Sequence, residues 1–61
     1  MTISAADKLV CAERELKLRT RVYARWVDEG KMTKAQAKHE IACMAAIVQD
    51  YVVAAAKERL L

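Results

Sequence analysis

Sixty-one residues allow one domain and no more. A chain this short buries roughly 60% of the surface its unfolded form exposes, and a core of that size rarely yields more than ~3–5 kcal/mol. The formal net charge of +3 permits a nucleic acid or an acidic protein as partner and requires neither.

The amino terminus, Met1-Thr2-Ile3-Ser4-Ala5-Ala6-Asp7, lacks the basic start and apolar run of a secretory signal. Ser4 suits a helix N-cap, and Asp7, in the first turn, favours the helix dipole. With no proline and one glycine in the chain, the first helix is expected to run from about residue 5 to 29. At 100° per residue its apolar face carries Ala5, Leu9, Ala12, Leu16, Tyr23 and Val27, with Thr20 among them and Trp26 at the edge. Tyr23 and Trp26 read as closing the core near the hinge, although aromatics also serve as interface anchors.

Residues 30–33 form the expected turn. Gly30 suits the left-handed position just past a helix end. Thr33 suits the next N-cap, and Gln36 completes a capping box with it; Met32 is placed to pack on Ala37 as a hydrophobic staple. Two helices joined so briefly fold back on each other.

The second helix is expected from about residue 34 to 59. Its face of Ala37, Ile41, Met44, Ala45, Val48, Tyr51, Val52 and Ala55 is widened by Ile47 and Ala54. A helix apolar around that much of its girth is buried on several sides, more than one antiparallel neighbour supplies. The fold class is therefore all-α: an antiparallel two-helix hairpin that dimerises into a four-helix bundle, second helices at the centre. Leu9, Leu16, Tyr23, Trp26, Val27, Ile41, Met44, Ile47, Val48, Tyr51, Val52 and Ala55 make up the expected core and dimer seam. Tyr51 can use its hydroxyl at the open end or across that seam.

In such a hairpin Cys11 and Cys43 stand about eight residues apart along the pair, or ~12 Å at 1.5 Å per residue. A disulfide needs Cα atoms within about 7 Å, so both thiols are expected free, as suits a cytoplasmic protein. The most apolar stretch, Ile41 to Ala56, reads as too short for a membrane span and is interrupted by Gln49 and Asp50.

On the outer side of the first helix, Arg14, Lys17, Arg21 and Arg25 follow steps of three, four and four, aligning four cations. Cys11, Leu18 and Val22 run beside them. Arg14, Lys17, Leu18, Arg21, Val22 and Arg25 are thus a candidate partner-binding surface, where charge steers an encounter and apolar groups hold it. The plainer reading is a solvated face, with Glu13, Glu15 and Asp28 for local ion pairs and the dimer mate over Leu18 and Val22. Four aligned cations could also neutralise phosphates, but acids are interspersed and no nucleic-acid reading motif is present. His39 and Cys43 are four apart on one helical face, yet zinc takes four ligands and no second pair adjoins them. No cofactor, metal or enzymatic activity is expected, because there is no phosphate loop, no paired buried carboxylates and no histidine brought to either cysteine across the hairpin.

A longer pattern spans Cys11 to Tyr51. It reads Glu13-Arg14-Glu15-Leu16-Lys17, Arg19 to Val27 (RTRVYARWV), Gly30-Lys31-Met32-Thr33, Lys38-His39-Glu40-Ile41, Met44-Ala45-Ala46-Ile47 and Asp50-Tyr51. It resembles a family of small proteins encoded by temperate bacteriophages and prophages, covering about two-thirds of the chain. Members often carry proline where Ala24 stands, which would kink the first helix before Arg25 and Trp26. The resemblance implies a cytoplasmic protein of the infected cell that docks on a host protein, such as a transcription regulator, a defence factor or a motility or secretion ATPase. By analogy of size and class alone, it is similar in build to phage anti-activators of quorum sensing. A small basic nucleic-acid-binding regulator and a virion assembly factor are the alternatives.

Overall fold

A computed structural model describes residues 1–60; Leu61, the last residue of the expected 1–61 unit, lies outside them. The chain forms two helices, α1 (Ala5–Asp28) and α2 (Lys34–Arg59), that pack against each other in a rod of 47 × 20 × 14 Å.

Both helices start on complete capping boxes. The Ser4 hydroxyl accepts from the Asp7 N–H at 3.0 Å, and the Asp7 carboxylate accepts from the Ser4 N–H at 3.4 Å. Thr33 and Gln36 make the same exchange at 3.1 and 3.0 Å. Each box occupies donors that a helix start leaves unpaired. Asp7 is therefore a hydrogen-bonding member of the cap, beyond the dipole role its position suggests.

The first helix ends one residue before its expected limit. Glu29 keeps near-helical dihedrals (φ −84°, ψ −1°) as the cap, and Gly30 turns left-handed at φ 75°. The Gly30 N–H donates to the Val27 carbonyl at 3.1 Å and the Lys31 N–H to the Trp26 carbonyl at 2.8 Å. This pair of bonds is a Schellman motif with glycine at its left-handed position. Before it, α1 runs uninterrupted through Ala24, whose N–H and Cβ permit what proline would break. Thr20 donates its hydroxyl to the Leu16 carbonyl one turn back, at 2.9 Å.

The core is a single seam. Ala12 of α1 packs with Met44 and Val48 of α2, and Leu9, Leu16 and Tyr51 close around them. Ala37 and Ala55 are buried on the same face of α2. No large side chain among the described residues is fully enclosed.

Several residues expected in the core are not covered by the hairpin alone. Trp26 is 38% exposed, Ile47 41% and Val52 42%, while Tyr23, Val27 and Ile41 are half-buried. Trp26 lies over Tyr23 with ring centroids 5.3 Å apart, so the aromatic pair shields itself more than it caps the core. Val48 needs no second copy, because α1 already buries it; Ala54 is half-buried. One neighbour covers one face, which leaves the rest of an apolar helix exposed.

The two flanks of the hairpin differ. On one, Arg19 pairs with Glu15 at 2.9 Å and reaches the Glu40 carboxylate at 3.8 Å. The Ala5 N–H donates to Glu58 Oε1 at 2.7 Å, and Lys8 Nζ stands 5.9 Å from the Tyr51 ring centre. By helical geometry the other flank carries Leu9 and Val27 of α1 with Ile41, Ala45 and Val52 of α2. No ion pair joins the helices there among the described residues.

The apolar helix is longer than the Ile41 to Ala56 stretch that read as too short for a membrane span. At 26 residues, α2 is long and apolar enough by length and composition to cross a bilayer. What stands against it is Asp50 near its middle, a carboxylate costly to place in hydrocarbon.

Candidate interaction surface

The back of α1 is built by helical spacing alone. Ala12 faces α2, and residues roughly half a turn away point outward: Val10, Arg14, Lys17, Arg21 and Arg25. All five are exposed. Arg14, Lys17, Leu18 and Arg21 line a shallow hollow of about 360 Å³. A second, of about 260 Å³, adjoins it and is lined by Val10, Glu13, Arg14 and Lys17. The two hollows share Arg14 and Lys17, and each has one apolar residue beside its charges: Leu18, 43% exposed, and Val10, 54% exposed.

Four of the six residues in the expected surface therefore come together in one hollow. Val22 does not join them. It is half-buried, rotated toward the flank that carries Glu15 and Arg19. Arg25 continues the cation row beyond the hollow, in the last turn of α1, where its charge complements the helix dipole. Val10 is the residue the spacing argument missed. Its signal was present, since it stands four residues before Arg14 on the same face.

None of Arg14, Lys17, Arg21 or Arg25 has a carboxylate within ion-pair distance among the described residues. Of the acids expected to neutralise them, Glu15 is engaged elsewhere, while Glu13 lines the second hollow and Asp28 follows the row, neither within ion-pair distance of a cation among the described residues. Glu15 holds Arg19, and Glu29 pairs with Lys31 at 3.5 Å. Arg19 is the contrasting cation. Its hydrogen bond from Nε to Glu15 raises its pKa above the ordinary arginine value, partial desolvation opposes this, and the electrostatic influence of Tyr23, Glu15 and Glu40 adds to the rise. Arg19 also donates to the Glu40 carbonyl at 3.5 Å, tying it to α2 and away from the back of α1.

On α2, Cys43 Sγ lies 3.5 Å from His39 Nε2, so the cysteine finds its histidine within its own helix instead of across the hairpin. Both thiols, Cys11 and Cys43, are free and exposed. No group of three or more His, Cys, Asp or Glu side chains converges as a metal site among the described residues. No family model matches the chain, and neither a curated protein nor a solved structure matches it.

Proposed function

We propose that this chain is a small phage-encoded interaction protein that acts in the cytoplasm of the bacterial host. It docks on a host protein through the back of α1 and modulates it. The observation that carries this reading is the row of four exposed cations, without an ion-pair partner among the described residues, beside exposed apolar side chains on the helix face opposite the core. The phage setting draws on the sequence resemblance over Cys11 to Tyr51.

The working unit is a homodimer forming a four-helix bundle. Val52 is 42% exposed, and it continues a strip with the half-buried Ile41 and Ala45 along one side of α2, apolar surface that a second copy would cover. The flank bearing Leu9, Val27, Ile41, Ala45 and Val52 is the favoured seam, because the opposite flank is occupied by polar cross-links between the helices. This arrangement keeps the back of α1 outward.

Affinity capture from host lysate, with wild type beside Arg14→Glu/Arg21→Glu, tests the docking face. The double variant is expected to lose a partner that wild type recovers. Equal recovery of the same partner by both removes this surface from consideration. Sedimentation equilibrium tests the dimer, and a monomer at micromolar concentration refutes it.

A further inference from the structure

We propose that the partner element received by the back of α1 is a short acidic amphipathic helix, with two apolar side chains bracketing its carboxylates. The proposal rests on the reading of this face as a docking surface and specifies the chemistry of what docks.

Three features of the face point to that occupant. The cations Arg14, Lys17, Arg21 and Arg25 rise along the helix over about 16 Å at 1.5 Å per residue. Steps of three and four are the steps at which a second helix presents side chains along one of its own faces. The apolar residues are spaced in register with the charges. Val10 and Leu18 stand eight residues apart, one beside each hollow, with Arg14 and Lys17 between them; Glu13, the one acid lining either hollow, adjoins Val10 and directs an incoming carboxylate toward the Arg14–Arg21 side. A complementary helix offers an apolar residue, carboxylates about one turn on, and a second apolar residue after two turns.

The third feature is where the positive charge stops. Asp7 and Asp28 lie on the same side of α1 as the cation row, one before it and one after it. A nucleic-acid duplex carries a charge about every 1.7 Å along its axis and continues past any short footprint. Its phosphates would run onto Asp7 and Asp28, and they offer nothing apolar to Val10 or Leu18. A peptide whose acids end after two or three turns meets neither penalty. The charge pattern thus favours a bounded acidic segment over a continuous polyanion.

The test is a fluorescence-anisotropy titration of a labelled, alanine-based synthetic helix of about 18 residues, long enough to hold helical structure. It carries glutamates one turn apart between two leucines. The comparison probes are a peptide of identical composition with the leucine spacing scrambled, a duplex DNA oligonucleotide, and vesicles containing phosphatidylserine. The ordered peptide is expected to bind at least tenfold more tightly than the scrambled one. Leu18→Gln and Arg14→Glu/Arg21→Glu are each expected to weaken it by on the order of tenfold or more. Both sets of positions are exposed and away from the seam, so retained helical circular dichroism separates lost binding from lost folding. Equal binding of ordered and scrambled peptides, tighter binding to DNA or vesicles, or binding of no peptide each overturns the proposal. Should these peptides fail while lysate capture still depends on Arg14 and Arg21, the docking face survives and the acidic-helix chemistry falls. A captured partner indifferent to both arginines removes the face itself.

Discussion

Replacing Gly30 tests how far the hairpin depends on one backbone conformation. At φ 75° an L-residue places its Cβ against its own carbonyl, a strain of roughly 1–2 kcal/mol. A Cβ added there meets nothing within 4 Å, so no clash or new contact modifies that cost. Alanine also narrows the unfolded ensemble relative to glycine, which returns about 0.4–1 kcal/mol. The net loss for Gly30→Ala is about 1 kcal/mol, or a fall in Tm of about 4–8 °C for a domain of this size. D-alanine at the same position accepts positive φ without strain and keeps the entropic benefit, so it is expected to raise the Tm by a few degrees. Thermal melts followed by helical circular dichroism would measure both, at one fixed protein concentration because association makes the Tm concentration-dependent. Shifts of the same sign for the two enantiomers, or no shift for either, would refute the account of the turn.

Four further outcomes are expected. Met44→Ala removes the largest buried side chain of the seam and costs about 2–5 kcal/mol, enough to abolish cooperative unfolding in a core this small; a retained sigmoidal melt would contradict it. Ser4→Ala and Thr33→Ala each cost about 1 kcal/mol, and urea titration of the double variant should find them additive because the caps start different helices. Val52→Glu is expected to shift the sedimenting species from dimer to monomer, and an unaffected dimer would move the seam to another face. Arg19→Ala is expected to cost about 0.2–1 kcal/mol, as for other partly exposed pairs. A cation whose folded pKa is raised gives stability that is complete below its unfolded value and lost only as pH climbs through the folded one. For Arg19 that window lies above the usual working range, so the difference in urea midpoint should stay constant from neutral pH upward into mildly alkaline buffer.

The elements were legible in the sequence because their signals are local. Ser4, Asp7, Gly30, Thr33 and Gln36 act within a few residues of themselves, and each occupies the cap or turn its type suggests. Register across the hairpin was less legible. The Ala5–Glu58 and Arg19–Glu40 links depend on which turns of α1 and α2 face each other, and nothing within either helix states it. Trp26, read from the sequence at the edge of the apolar face, is 38% exposed in the single hairpin for a related reason. Its angle on the helical wheel is at the edge of the apolar face, and at an edge the width of the partner helix decides burial. The candidate surface was half legible: periodicity found the cations and held Val10's place four residues before Arg14, but whether the flank bearing Val22 is covered depends on the position of α2.

The lack of any fully enclosed large side chain among the described residues bears on how tightly the solitary chain can guard its backbone. Amide protons exchange through openings whose free energy cannot exceed that of global unfolding. A rod with one narrow seam therefore lets deuterium reach all its amides quickly, those beside Met44 and Val48 included. Amides near Ile41, Ala45 or Val52 that resist labelling far longer would be timing the dissociation of a larger assembly, and the concentration dependence of that delay would measure how strongly its halves hold together.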